Sequence, residues 1–360
     1  MKSLPKLYFP NKAPIEKVVK LWNLEQYEQR TQEWLDARQG CISASDVAIA
    51  LLQSKASCQY YIDSFGTLED FDFKINPKKC CNKYSKKQDL ILKKCNLGKP
   101  FTGNTYTLHG QKYEQVVSNI YSQINQVDIL EFGLLIHPTH PFLGASPDGI
   151  TSTGRMIEIK CPPIRKVKPY PPIHYFQQML MQLECTGLEE CDYIDAHFVE
   201  YLNEKAWDLE AKKWELDNPN LKHHIYGLMS SITFDSGEVE NMYPPVDVVK
   251  ISQFKEWMSS APGKITFYKL HDFYQSTTRA STEWFETNFP EMNSVWEEIL
   301  YHRTNDGKEK LVEKLAKKKV SVYKPRQTKT LPSYNECLMT HLEVKIIPEI
   351  PQEIIPEIPQ

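Results

Sequence analysis

Leu143-Gly144-Ala145-Ser146-Pro147-Asp148-Gly149, followed ten residues after its aspartate by Glu158-Ile159-Lys160, is the stretch whose reading decides the fold. Between the two lies Thr151-Ser152-Thr153-Gly154, a turn-rich tetrad flanked by apolar runs, and this predicts a β-hairpin. Side chains alternate along a strand, so Glu158 and Lys160 share one face, presented outward, while Ile157, Ile159 and Cys161 point to the other, toward a core. With the turn at Ser152 and Thr153, Asp148 falls close to opposite Glu158. Both carboxylates can then grip one hard divalent cation, and magnesium is the natural occupant.

Working outward, 360 residues allow one elaborated domain or two. Hydrophobic residues at 41% and charged residues at 25% are ordinary for a soluble globular chain, and a net charge of -3 excludes a uniformly basic nucleic-acid coat. Any contact with nucleic acid must be local. No apolar run reaches transmembrane length and the start Met1-Lys2-Ser3-Leu4-Pro5 has no signal-peptide core, so the expectation is an intracellular protein without a membrane partner, in the cytoplasm or nucleus. Nine cysteines, an odd number in no paired framework, fit reduced thiols.

Periodicity predicts one or two helices over 15–38, and a helix over 47–52 capped by Ser45-Asp46. A lysine-rich segment over 74–100 reads as a basic, partly irregular insertion with a solvated surface. A long helix over 104–124 carries Glu114; strands follow at about 127–137, 142–150 and 155–161, then a helix over 173–186 and a strand over 193–201. The order α, β-β-β, α-β predicts an α/β (α+β) fold, a central mixed sheet flanked by helices. We expect a core over 1–205, a C-terminal α/β extension over 206–320 packed on it, and a tail over 321–360 ending in Pro-Glu-Ile repeats. Proline at that density forbids helix and central strand.

Hydrolysis of a phosphodiester needs an activated water, neutralised phosphoryl oxygens and relief of charge on the leaving oxygen. Asp148 and Glu158 are the metal ligands for such a site, the Ile159 carbonyl is a third, and Lys160 stands beside the attacking water. Glu114, in His109-Gly110-x-x-x-Glu114, adds a carboxylate directly or through a water, or else faces solvent. Gln178 and Gln182 share a helix face and either line the cleft or simply make it polar. Near the start, Arg30, Arg38, Gly40, Ser43 and Ser45 combine guanidinium groups, a tight glycine and hydroxyls at a helix N-terminus, the parts of a phosphate pocket; the bland alternative pairs Arg38 with Asp36 or Asp46. Arg165 and Lys166, just after the Glu-x-Lys strand, can touch a DNA backbone.

Four ordered motifs carry a resemblance: Arg-x-x-x-Trp-x-x-x-Arg-x-Gly-x-Ile-Ser-Ala-Ser (30–45), His-Gly-x-x-x-Glu (109–114), Gly-Ala-Ser-Pro-Asp-Gly with Glu-Ile-Lys-Cys-Pro (144–162), and Tyr-x-x-Gln-x-x-x-Gln ahead of Thr-Gly (175–187). Over roughly residues 28 to 200 the chain resembles the lambda-type exonucleases, or YqaJ-type viral recombinases, of the PD-(D/E)XK nuclease superfamily. Its composition and long C-terminal extension look like those of a large nucleocytoplasmic DNA virus. The resemblance implies a magnesium-dependent enzyme, with manganese as substitute and one or two ions bound. It would digest duplex DNA from a 5′-phosphorylated end to mononucleotides, in viral recombination, repair or replication.

Carried residue by residue, Asp148 and Glu158 match the metal ligands, Lys160 the catalytic lysine, Glu114 the helix carboxylate and Gln178 the active-site glutamine. Arg38 and Ser45 match the 5′-phosphate pocket, with Ser43 where threonine is commoner; Arg30, Gln182, Arg165 and Lys166 complete the expected DNA contacts. Double-stranded DNA ends are the expected partner, alongside a single-strand annealing protein. The family's ring-shaped trimer is the precedent for an oligomer, but the sequence does not derive it, because 74–100 and everything past about 205 lie outside the pattern. A structure-specific endonuclease and a catalytically silent binding protein are the competing readings.

Overall fold

The computed structural model describes residues 3–52, 54–65, 86–98, 105–164, 170–220, 223 and 225–319. Three short strands, β1 (Ile42–Ser43), β3 (Leu135–Ile136) and β4 (Leu143–Ala145), form a small sheet in the order β1-β4-β3. The main sheet has seven: β2 (Ile129–Leu130), β5 (Gly149–Thr151), β6 (Met156–Lys160), β7 (Glu190–Tyr201), β8 (Tyr226–Thr233), β9 (Val239–Met242) and β10 (Lys264–Arg279). Their order is β2-β5-β6-β7-β10-β8-β9, antiparallel except at β6-β7, so the sheet is mixed as expected. A parallel neighbour requires a crossover. Here the crossover carries α7 (Ile173–Thr186), which ends at Gly187 in the left-handed region, φ 63.

Among the described residues, the α-helices ahead of α6 (Thr105–Asn125) are α1 (Glu16–Asn23), α2 (Gln32–Gln39), α3 (Ala44–Ala50), α4 (Lys55–Phe65) and α5 (Lys87–Lys94). The apolar stripe of α6, Tyr113, Val117 and Tyr121, covers one sheet face through Ile157, Ile159 and Ile194. On the other face Val18 of α1 and Met179 and Leu183 of α7 pack against Ile150, Met156 and Tyr193. The far side of α7, through Phe176 and Leu180, joins a helical core with Val47 of α3 and Tyr61 of α4. A helix buried on both sides has no solvent face on which to discard polar residues. Its buried glutamines therefore need partners inside the protein.

After β7 come α8 (Glu204–Asp217), α9 (Ile251–Ser260), α10 (Thr282–Arg303) and α11 (Asn305–Lys319). Residues 206–311 continue the same sheet, since β10 lies between β7 and β8, and α10 adds Trp284 and Val295 to the helical core. By its contacts the chain divides into Met1–Leu311 and Val312–Gln360. The Pro-Glu-Ile repeats lie outside the described residues, and among those described no helix is long and apolar enough to cross a membrane.

Four expectations change. The strand expected over 142–150 breaks at Ser146-Pro147-Asp148, because proline offers no ladder donor and restrains its predecessor; β4 joins the small sheet and β5 the main one. The strand expected over 127–137 likewise divides into β2 and β3. Helix α3 is capped by Ser43 with Asp46 in a reciprocal box, two residues earlier than the cap expected at Ser45. Within the lysine-rich segment, Lys87–Lys94 is a regular helix and Lys94 is 1% exposed, packed inward where a solvated surface was expected.

Candidate active site and phosphate pocket

The hairpin sets the register. Gly149 lies opposite Ile157, which puts Asp148, just ahead of β5, across from Glu158. The turn closes through Thr151 N–H to the Arg155 carbonyl, 2.8 Å, and Gly154 N–H to the Thr151 carbonyl, 2.9 Å. Asp148 Oδ2 accepts the Ile159 N–H at 2.7 Å, so the carboxylate is anchored to the strand that bears its partners. Upstream, Gln29 donates to the Pro147 carbonyl at 2.9 Å and to the Phe132 carbonyl at 2.8 Å, holding the Ser-Pro-Asp loop in place.

Glu158 is 0% exposed, buried where the sequence suggested a presented group. Its Oε1 accepts from Gln178 Nε2 at 2.7 Å, its Oε2 from Gln182 Nε2 at 2.8 Å, and Lys160 forms an ion pair with Oε1. Lys160 Nζ also lies 3.9 Å from Asp148 Oδ2 and 4.9 Å from the Tyr175 ring centroid. From α6, Glu114 receives Arg30 Nη2 on both oxygens, at 3.1 and 3.0 Å. Arg30 adopts φ 74, in the left-handed region that a non-glycine residue rarely occupies.

The electrostatics follow from an excess of acid. Burial first, and then the neighbouring Asp148, push Glu158 up to about 7, and the same two causes push Glu114 up to about 7. Burial alone would pull the Lys160 ammonium down, but Glu158 and Asp148 outweigh it and hold it well above the ordinary lysine range, so it stays charged. Among the described residues of this cluster, one ammonium and one guanidinium face the carboxylates of Asp148, Glu158 and Glu114. Carboxylate and carbonyl oxygens are the donor set of hard divalent ions, and one such ion would remove the penalty on Glu158 and Glu114. The residues therefore fit a divalent cation.

A second constellation forms around Arg38. Its guanidinium lies 4.3 Å from the Trp34 ring centroid and donates to Ser43 Oγ and Ser45 Oγ, each at 3.0 Å. Ser43 is fully buried and donates in turn to Asp46 Oδ2 at 2.6 Å. Asp46 is bracketed by Lys93 at 2.9 Å and Lys94 at 2.8 Å. Against the upward pull of burial, these ammonium groups hold its carboxyl well below the ordinary range, while burial lowers Lys94. The expected alternative pair of Arg38 with Asp46 does not form, because the lysines occupy both carboxylate oxygens. Trp34 links the two constellations by donating its indole N–H to Ser146 Oγ at 2.9 Å, two residues before Asp148.

The structure thus gathers Asp148, Glu158, Lys160, Glu114, Gln178, Gln182 and Arg30 in one cluster and Arg38, Ser43 and Ser45 in another. Gln182 is 0% exposed and spends its amide on Glu158, so the DNA contact expected of it is not available. Arg30 is committed to Glu114. Ile159 contributes its N–H to Asp148. Arg165 and Lys166 lie outside the described residues.

Sequence reasoning missed Lys93 and Lys94, which look like every other lysine of their segment, and Gln29, and it placed Trp34 in a motif without its role; the partners of Gln29 and Trp34 are more than a hundred residues away. It also missed Asp195, 0% exposed on β7, opposite Lys160 by register and 3.3 Å from the Tyr193 hydroxyl. Only an alternation pattern along 190–201 could have flagged it.

Residues 33–189 match the family model of the YqaJ-like viral recombinase domain. An uncharacterised protein of Acanthamoeba polyphaga mimivirus is 26% identical over 343 residues, a match covering 82% of this chain and 57% of that relative's length. Its source is consistent with the expected nucleocytoplasmic DNA virus. Among solved structures, an alkaline exonuclease (LHK-Exo) from Laribacter hongkongensis is 20% identical with a TM-score of 0.41, covering 80% of this chain and 99% of that one. A phage-related exonuclease from Haemophilus somnus is 11% identical with a TM-score of 0.36, covering 72% and 95% respectively.

Proposed function

We propose that this chain, whose residues 33–189 match the family model of the YqaJ-like viral recombinase domain, is a metal-dependent exonuclease that degrades linear double-stranded DNA from 5′-phosphorylated ends, releasing mononucleotides. One observation carries the reading: a fully buried glutamate, Glu158, is held between a lysine and two glutamines in a cluster with more acid than its own cations balance. Such a cluster is built for a cation, and its lysine remains to meet a phosphate.

Asp148, Glu158 and the Ile159 carbonyl would hold the ion, with Glu114 alongside. When bound, a divalent ion supplies positive charge to the phosphoryl oxygens and eases loss of a proton from the attacking water. Lys160 acts as a fixed ammonium toward the charge that develops on the phosphoryl group. Gln178 and Gln182 hold both oxygens of Glu158, so the carboxylate cannot rotate as the reaction proceeds.

Arg38, Ser43 and Ser45 are the groups that would receive a terminal phosphate, and Trp34 ties that pocket to the Ser146 loop. Cleavage of the phosphorus to 3′-oxygen bond leaves a new 5′ phosphate on the shortened strand, so each turnover regenerates the group the pocket binds.

Purified protein, magnesium and linear duplexes bearing 5′-phosphate or 5′-hydroxyl ends test this directly. Rapid release of mononucleotides from the phosphorylated duplex, slow release from the hydroxyl duplex and an inert Asp148→Asn variant are expected. Equal attack on both ends, or on covalently closed circles, would overturn the exonuclease reading.

A further inference from the structure

A second cluster of metal-binding groups lies on the same sheet, made of residues distinct from the carboxylate cluster. His197 on β7 and His271 and Asp272 on β10 each offer one ligand atom, and the three atoms lie within 4.8 Å of one another. His197 Nδ1 is 3.6 Å from Asp272 Oδ2, and the two imidazole centroids are 5.6 Å apart at an interplanar angle of 82°.

The backbone accounts for the convergence. In the β7-β10 ladder Leu270 faces Phe198 and Asp272 faces His197, so His271 is an extra residue, a β-bulge. Leu270 and Phe273 both pack on the core beneath α6 although they are three residues apart, which regular alternation forbids. His271 and Asp272 therefore share the opposite face, consecutive in sequence and aimed together toward His197. Phe198 lies in the core beneath α6, so its neighbour His197 belongs to that same opposite face.

We propose that this bulge is a binding site for a borderline transition-metal ion, with zinc as its probe: two imidazole nitrogens and one carboxylate oxygen from the protein, and water completing the shell. Two histidines and a carboxylate are a donor set that favours zinc over magnesium, whereas the all-oxygen cluster at Asp148 and Glu158 favours the reverse. The ion would staple β7 to β10 where the bulge interrupts their ladder. His197 stands two residues past Asp195, the register partner of Lys160, so the staple would stiffen the strand beside the candidate catalytic lysine.

The test uses the full chain stripped with chelator, then titrated with zinc in excess magnesium. Calorimetry and metal analysis should find one tightly held equivalent, and cobalt in its place should give visible d–d absorption. The double variant Asp148→Asn/Glu158→Gln should keep that equivalent, which separates this site from the carboxylate cluster. His271→Ala and Asp272→Ala, both at exposed positions, should fold with unchanged circular dichroism and lose affinity by about tenfold or more. Zinc should raise the melting temperature of the wild type and not of His271→Ala. No zinc retained by the wild type, equal retention by His271→Ala, or loss of zinc from the Asp148→Asn/Glu158→Gln double variant would each overturn the proposal.

Discussion

Glu158 and Asp46 are both buried carboxylates, yet their surroundings drive them in opposite directions: Glu158 is pushed up to about 7, while Asp46 is held well below the ordinary range. Burial costs each of them. The difference lies in the company they keep. Asp46 has two ammonium groups and a serine hydroxyl, with the Arg38 guanidinium beside that same serine. Glu158 has one ammonium, two amides and two further carboxylates, Asp148 and Glu114, close enough to act on it. One region carries surplus acid and calls for a cation; the other carries surplus base and calls for an anion. They are joined through Trp34 and Ser146, and on the proposed function they would complement the two charges of a metal-assisted attack on a phosphorylated end.

The strongest way to break this comparison is at Glu158. Glu158→Gln should lower magnesium-dependent nucleotide release on the order of 10³-fold. The same variant should leave the melting temperature of the metal-free protein unchanged or raised, because it removes a buried charge that the cluster underpays. An active Glu158→Gln enzyme would sink the site assignment.

Next in size, Arg38→Ala should reduce the preference for 5′-phosphorylated over 5′-hydroxyl ends by about 10- to 100-fold, the loss expected when a charged hydrogen bond disappears, measured as the ratio of kcat/KM for the two duplexes. Its residual activity on 5′-hydroxyl ends should match the wild type. Trp34→Phe keeps the ring beneath Arg38 but deletes the donor to Ser146, so it should cost about fivefold in kcat/KM, corresponding to ~1 kcal/mol, with end preference retained.

The smallest effect is one of pH. Glu114 and Glu158 titrate near about 7 in the folded protein against an ordinary value of 4.5. A folded pKa above the unfolded one means that the folded state holds the proton more tightly, so this contribution is complete below 4.5 and is lost as pH rises through about 7. The metal-free protein should therefore melt a few degrees lower at pH 8 than at pH 5, and magnesium should raise the melting temperature more at pH 8. A flat profile without metal would show that these carboxylates are already balanced.

Local pattern accounts for what was legible beforehand. The β5-β6 hairpin, the long helix of Glu114 and the α7 crossover all follow from residues within one or two turns of each other, and so does the pairing of Asp148 with Glu158. The sharing of a face by Gln178 and Gln182 is also local; that they clamp Glu158 is not. The break at Ser146-Pro147-Asp148 was misread because apolar residues flank it on both sides and only strand pairing reveals that β4 and β5 belong to different sheets. β10 runs to Arg279 although its later residues are largely polar, and they become a strand only through their ladder with β7.

The sequence by itself determined the chemistry on offer: two carboxylates and a lysine at hairpin spacing, glutamines four apart on a helix, and an arginine followed by two serines. Only the tertiary structure decided their state. A charge is cheap or costly according to which distant groups are folded against it, and Lys93, Lys94, Gln29, Asp195 and the bulge at His271 all act across separations that no local spacing encodes.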